Sequence, residues 1–298
     1  MTHYSVLLKE TIDALNVKPN GIYVDCTMGG AGHSKELLKK LTTGHLYCFD
    51  QDEVAIKIAK ERLGSSQNYT IIKSNFEFVK KELNSLGIYH IDGVIMDLGM
   101  SSFQIDEDVR GFSYMQDAPL DMRMNSESKI TAKTIVNEQS LDYLTYILRT
   151  YGEEEFARPI AKKIVENRPL ETTFDLVKIT DQYKYKQKGH SAKKVFQALR
   201  IAVNDELGVL ERALPDLLEM MNPNGVFSII TFHSLEDRIV KHFFKKHSEL
   251  NLPKGLPIQS HVKPALRIEQ RKPILPTEEE LNENSRSRSA KLRVAIKN

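Results

Sequence analysis

A chain of 298 residues, 41% hydrophobic and 28% charged, can bury a substantial core and has room for one large domain plus a second module. Its formal net charge of +2 excludes the strongly basic balance that by itself announces nucleic-acid binding, so any RNA contact must rest on local patches. Its only cysteines, Cys26 and Cys48, have no His or Cys at ligand spacing, which excludes a zinc site; no apolar run approaches a membrane span.

The first residues, MTHYSVLLKETIDAL, read as an amphipathic helix rather than a cleavable signal, so a cytoplasmic location is expected. Apolar runs of strand length then alternate with segments of helical period. The strand candidates are Ile22 to Asp25, Leu46 to Asp50, Tyr69 to Lys73 and Gly93 to Leu98. The predicted helices between them, Ser34 to Leu41, Asp52 to Leu63 and Glu77 to Leu86, have crossover length, which is the βαβ rhythm of a parallel sheet. Cys26 and Cys48 fall at or within these strands and read as reduced core residues.

The turn after the first strand, DCTMGGAGHS from Asp25 to Ser34, carries Gly29, Gly30 and Gly32. Glycines there let the backbone turn sharply and approach a ligand where a side chain would clash, and the helix that follows offers free N–H groups. A dinucleotide fingerprint would need a third glycine at position 35, which is Lys35, and this weakens a nicotinamide reading. Asp50 closes the second strand where a carboxylate can accept hydrogen bonds from both ribose hydroxyls of a nucleoside. After the third strand, Phe76 stands where a ring could flank an adenine. Asp97 ends the fourth strand in MDLGMSS, at the edge where ligands of open α/β sheets lie. Alone, the glycines would be an ordinary tight turn and Asp50 a helix cap; their joint placement favours a ligand.

From Ser102 the rhythm breaks into a loop-rich stretch. Helix-like segments follow between Leu141 and Asn167 and between Phe174 and Tyr185, with no convincing strand. The α/β pattern resumes with a long helical run from Ala192 to Met221, the turn Asn222-Pro223-Asn224-Gly225, a strand from Val226 to Phe232 and a helix from Leu235 to His247. In the tail, PTEEEL reads as a short capped turn and Lys291 to Ile296 as a closing strand. The expected architecture is α/β, Rossmann-like and mostly parallel. A discontinuous domain (1–104 and 192–298) is interrupted by a helical domain (105–191).

Taken together, DCTMGGAGHS, FDQD, DLGMSSFQ, RGFSY, PLDMRM, TYGEE, VFQALRIAVNDEL, ITFHSLEDRIVK and SRSRSAKLR resemble the MraW (RsmH) family from His3 to Arg293. The resemblance implies a class I S-adenosylmethionine-dependent methyltransferase whose helical insertion recognises substrate. It further implies methylation of N4 of a decoding-centre cytidine in 16S rRNA, within the 30S subunit. By motif matching, cofactor contacts fall on Ala31, Gly32, His33, Asp50, Phe76, Asp97 and Gln104, and no metal is expected. Ala31 and Cys26 depart from the glycines that many relatives carry there.

Methyl transfer to an exocyclic amine needs in-line approach at about 3 to 3.5 Å in a pocket that excludes water, and an acceptor for the amine proton. Asp97 is the leading candidate for that acceptor or for orienting the sulfonium. Phe232 and His233, at the exit of the fifth strand, offer base stacking and an imidazole. The target must be single-stranded or extruded, since pairing hides N4. Phe103, Phe112 and Tyr114 are candidates to hold it, or to pack beneath the insertion. Arg110, Arg123, Lys193, Lys194, Arg200, Arg286, Arg288 and Arg293 are candidate phosphate contacts, and Tyr183 to Lys188 interleaves aromatics with lysines. No membrane partner is expected, and the sequence leaves room for a homodimer. A nicotinamide-dependent dehydrogenase and a non-catalytic RNA-binding module are the competing readings. The first lacks its third glycine, and the second predicts a damaged turn where Asp25, Gly30, Gly32, Asp50 and Asp97 are all present.

Overall fold

The structure, a computed structural model, describes residues 5–100, 108–183, 189–250 and 263–298. The strands are β1 (Ile22–Asp25), β2 (His45–Asp50), β3 (Tyr69–Lys73), β4 (Ile91–Asp97), β5 (Met221–Thr231), β6 (Leu266–Arg267) and β7 (Lys291–Lys297). They form one seven-stranded sheet in the order β3-β2-β1-β4-β5-β7-β6. The pairings from β3 to β5 are parallel, whereas β7 runs antiparallel to both β5 and β6. The chain leaves β1 toward β2 on one side and returns to β4 on the other, so the order reverses between β1 and β4. Ligands of open α/β sheets bind beyond the carboxyl ends of the strands at such a reversal.

In chain order the helices of the first half are α1 (Leu8–Ala14), α2 (Gly32–Leu38), α3 (Glu53–Leu63) and α4 (Val79–Ser85). Helix α2 begins two residues before the expected Ser34, directly on the glycine turn. Next come α5 (Ala132–Glu138), α6 (Leu141–Thr150), α7 (Ala157–Glu166), α8 (Thr173–Asp181) and α9 (Lys193–Asn204), followed by α10 (Glu206–Met220), α11 (Ser234–Ser248) and α12 (Glu278–Glu283). No helix among the described residues is long and apolar enough to cross a membrane.

The chain divides into two compact units, Met1–Gly99 with Leu207–Asn298, and Met100–Glu206. In the first, alternate residues of the central strands face opposite layers. Val24, Phe49, Val94 and Met96 pack with Val79 and Leu83 of α4, Leu214 and Leu217 of α10 and Val240 of α11. Tyr23, Leu46, Cys48 and Ile95 pack with Ile12 of α1, Leu37 of α2 and Ala59 of α3. Burial on both faces explains why these strands read as short continuous apolar runs.

The second unit has its own core, built from Leu144 and Ile147 of α6, Ile160 and Ile164 of α7, Leu176 of α8 and Phe196 and Leu199 of α9. Two boundaries differ from the sequence reading. The run expected to be one helix from Ala192 is broken at Asp205, which adopts φ +48° and ends α9. Asp tolerates this left-handed conformation, and nothing in the local pattern marks it. Helix α9 therefore belongs to the insertion's core and not to the resumed sheet domain. The turn Asn222 to Gly225 lies inside β5: Ile91 pairs with Met221 and Gly93 with Val226, so the extra residues bulge out of the ladder.

Candidate functional site

The loop after β1 is tied to its neighbours before any ligand arrives. Cys26 N–H donates to Ile95 O at 2.9 Å and Met28 N–H to Phe49 O at 3.0 Å. Arg62 Nη1 holds Gly30 O at 2.7 Å. Ala31 adopts φ +57° and is fully buried, the conformation glycine would take at no steric cost. A Cβ on Gly32 would stand 1.8 Å from Ser5 Oγ and 3.1 Å from Ser5 Cβ, so a side chain here would oblige the Ser5 hydroxyl to rotate away. The buried Asp25 carboxylate accepts from Ser34 Oγ at 2.6 Å and Thr27 N–H at 3.1 Å; burial nevertheless pushes its pKa up to about 6.

Asp50 ends β2 and accepts from Gly29 N–H at 2.8 Å and Asp52 N–H at 2.9 Å, one on each oxygen. It thereby links the glycine turn to the start of α3 while each oxygen keeps a lone pair. Burial raises its pKa to about 6 against those two bonds. Phe76 opens a short 3-10 turn capped by Asn75 and is partly buried against the core layer of α4.

Asp97 ends β4 beside Asp25. Its own N–H donates to Thr27 Oγ1 at 2.6 Å, while its buried Oδ1 has no hydrogen-bond partner among the described residues. Burial, then the nearby carboxylates Asp25, Glu236 and Glu280, push its pKa up to about 8. His33 Nδ1 lies 3.7 Å from Asp97 Oδ2, and the other ring nitrogen, Nε2, contacts Val6 O at 3.0 Å. Burial lowers the imidazole to about 4, so the ring is neutral at pH 7 and the two side chains do not form an ion pair. The His33 side chain is only 4% exposed. Sequence reasoning missed Val6 and Glu280, which sit in no recognisable ligand motif, and gave no role to Thr27 within the glycine turn; Glu280 arrives from the tail, where its Oε1 accepts from Leu7 N–H at 2.8 Å. Glu236 was given no role either, although it stands three residues after His233, at capping-box spacing.

At the exit of β5, Phe232 and His233 meet the start of α11. His233 is the helix cap, its Nδ1 accepting from Glu236 N–H at 3.4 Å and its Nε2 standing 3.2 Å from Glu236 Oε1. Glu236 Oε2 in turn accepts from Phe232 N–H at 2.8 Å. Both ring nitrogens of His233 thus face Glu236. The Phe232 ring would stand 3.5 Å from a Cβ on Gly99, which itself has φ +96°.

Several candidates for RNA contact prove to be structural. Arg293 donates to Asp237 at 2.6 and 3.2 Å, Arg200 forks onto Glu206 at 2.8 and 2.9 Å, and Arg123 chelates Asp121 at 2.6 and 2.9 Å. Phe112 is buried, Tyr114 stacks on His190 at 4.3 Å, and Tyr183 stacks on Phe156 at 5.7 Å, all within the insertion's core. Phe103, Gln104 and residues 184–188 lie outside the described residues.

The model of the MraW methylase family matches residues 1–298. Ribosomal RNA small subunit methyltransferase H 1 of Acholeplasma laidlawii (strain PG-8A) is 60% identical over 297 residues, spanning 100% of this chain and 99% of that protein. Among solved structures, an rRNA methylase from Streptococcus thermophilus superposes with a TM-score of 0.45 at 12% identity, covering 100% of this chain and 98% of that one. A methyltransferase homolog protein from Pyrococcus horikoshii gives a TM-score of 0.43 at 14% identity, covering 97% and 65%.

Proposed function

Because the chain belongs to the MraW methylase family along its whole length, we propose that it transfers a methyl group from S-adenosylmethionine to N4 of a decoding-centre cytidine in the 16S rRNA of the small ribosomal subunit. The observation that carries the reading is the row of carboxylates at the strand ends, Asp25, Asp50 and Asp97, set on either side of the glycine turn. The residues present fit the cofactor: among the described residues Oδ1 of Asp97 has no hydrogen-bond partner, and an acidic oxygen is a group that a cationic sulfur complements. When bound, the cofactor supplies an activated methyl group on a sulfonium. The membership leaves the dehydrogenase and non-catalytic readings without support.

In this reading the spare lone pairs of Asp50 accept the ribose hydroxyls. Asp97 accepts the cytidine amine proton or orients the sulfonium, and a carboxyl with a pKa near 8 becomes a competent base once positive charge lies beside it. Phe232 offers a face for the target base. His233 is the weaker candidate, since its Nδ1 is committed to the cap of α11. Ala31, Gly32 and His33 contribute backbone to the cofactor turn, Phe76 flanks the adenine, Gln104 lines the same site, and no metal takes part. The insertion serves substrate recognition, the substrate is the cytoplasmic 30S particle, and a homodimer is compatible with this reading.

The test is methyl mapping on isolated 30S particles from a deletion strain. Purified protein should restore the N4-methyl mark and Asp97→Ala should not, while remaining folded. Wild-type activity in that variant removes Asp97 from the role, and failure of the wild type to restore the mark overturns the substrate.

A further inference from the structure

The segment just before α1 runs across the glycine turn. Ser5 lies against the open side of Gly32, and Val6 O accepts from His33 Nε2 at 3.0 Å. One residue on, Leu7 is fully buried and takes φ +50° and ψ +36°, a left-handed conformation that a bulky side chain rarely adopts. It precedes α1 without a side-chain cap, and its own buried N–H needs an acceptor from elsewhere. That acceptor comes from the tail: Glu280 Oε1 of α12 takes the Leu7 N–H at 2.8 Å. Glu280 stands three residues after the cap Thr277, where a capping box would turn its carboxylate back onto its own helix; the oxygen goes to Leu7 instead. Leu7 O then accepts from Thr11 N–H at 2.9 Å, so this short segment is bonded to α2, to α12 and into α1. The Val6 and Leu7 side chains pack with Ile230 of β5 and with Ala290 and Leu292 beside β5 in the tail. A left-handed non-glycine residue persists only where its surroundings over-determine it, and ligand clamps are where such strain concentrates. Glu280 is near enough to Asp97 for its charge to be felt there, which sets this latch at the edge of the site.

We propose that Glu280 is a positioning residue for the cofactor site: by accepting the Leu7 N–H it holds residues 5–7 as a strap over Gly32 and His33. With the strap in place the turn from Asp25 to Ser34 keeps its shape, and a bound cofactor leaves slowly. What matters in Glu280 is the reach of its oxygen and not its charge, because a neutral amide oxygen can accept the same bond. By linkage, a strap that steadies the bound cofactor is itself steadied by it. This deepens the proposed methyl transfer and rests on it.

The experiment uses the full chain and two substitutions that separate reach from charge. Glu280→Gln keeps an oxygen at the same distance along the side chain and loses the charge, whereas Glu280→Asp keeps the charge and withdraws the oxygen by one methylene. Amide exchange over residues 5–12 is followed with and without S-adenosylmethionine, with β1 and β4 as a check of folding, and the cofactor's dissociation rate is measured by stopped flow. In the wild type, bound cofactor should slow exchange over residues 5–12. In Glu280→Asp that exchange should quicken and the cofactor should leave about tenfold faster, the scale of one lost hydrogen bond, while β1 and β4 stay protected. Glu280→Gln should stay within about threefold of the wild type on both measures. The proposal is overturned by wild-type exchange over residues 5–12 that ignores the cofactor, or by a Glu280→Asp variant in which either that exchange or the dissociation rate is unchanged. Equal damage in both variants overturns it as well, and loss of protection in β1 and β4 would reduce Glu280 to a structural residue. A wild type that binds neither S-adenosylmethionine nor S-adenosylhomocysteine overturns the methyltransferase reading, and the inference with it.

Discussion

At the scale of single residues the site is a set of crowded carboxyls, Asp25 buried and Asp50 and Asp97 partly so. Asp25 and Asp50 have folded pKa values near 6 and Asp97 near 8, all above the ordinary 3.8. A raised acid binds its proton more tightly in the folded chain. Its stabilising contribution is complete below the unfolded value and is lost as pH rises through the folded one. Between about pH 4 and pH 6.5 the losses from Asp25 and Asp50 are opposed by His33, whose lowered value near 4 adds stability over the same range; above about pH 6.5 the cofactor-free protein should lose stability to about pH 9, with the last part due to Asp97. Asp97→Asn, neutral throughout, should melt progressively higher than the wild type as pH goes from about 6 to about 9. Parallel melting curves across that range would remove Asp97 as the source. Ala31 gives a second expectation. Its φ of +57° strains an L-residue, and replacement by glycine should stabilise the protein by about 0.5–1 kcal/mol, read as a higher urea midpoint at unchanged slope.

At the scale of elements, the tail closes the sheet, and its charges serve that closure. Strand β7 pairs antiparallel with β5 along Val226 to Thr231, and Arg293 and Lys291 on it both reach Asp237 of α11, at 2.6 and 3.3 Å. Asp237 is held below the usual carboxylate range despite its burial, by Arg293 first and Lys291 second. Arg293→Ala should then cost about 2 kcal/mol of stability, as loss of a charged hydrogen-bond pair does, while the salt dependence of RNA binding keeps its slope. A slope reduced by about one unit would return Arg293 to the phosphate contacts. The same reasoning makes His233 primarily a cap. His233→Ala should destabilise by about 1 kcal/mol, seen as faster amide exchange in the first turn of α11.

At the scale of the whole molecule, two units with separate cores share one chain. Phe196 lies deep in the insertion's core, edge-on to Tyr114 at 5.6 Å. Phe196→Ala should destabilise that unit by about 3–5 kcal/mol, measured by amide exchange in α6 to α9, while cofactor affinity stays within about twofold. Equal loss of cofactor affinity would contradict the assignment of most cofactor contacts, from Ala31 to Asp97, to the sheet unit.

The sequence by itself determined the alternation of strands and helices and the turn from Asp25 to Ser34. It also placed Asp25, Asp50 and Asp97 at strand ends, because a doubly buried strand is a short apolar run and its carboxyl end is where polarity returns. Local pattern also located Asn222 to Gly225 as a turn, although not that β5 pairs on both sides of it, since bulges are settled by the partner strand. The end of α9 at Asp205 was invisible, because one left-handed residue changes no periodicity. Only the tertiary structure decided which charges are spent on folding, as with Arg200, Arg293 and His233. Only it could bring Val6, His33, Asp97 and Glu280 together. Those groups are separated by up to most of the chain's length, and their protonation depends on burial and mutual distance, which spacing along the sequence does not encode.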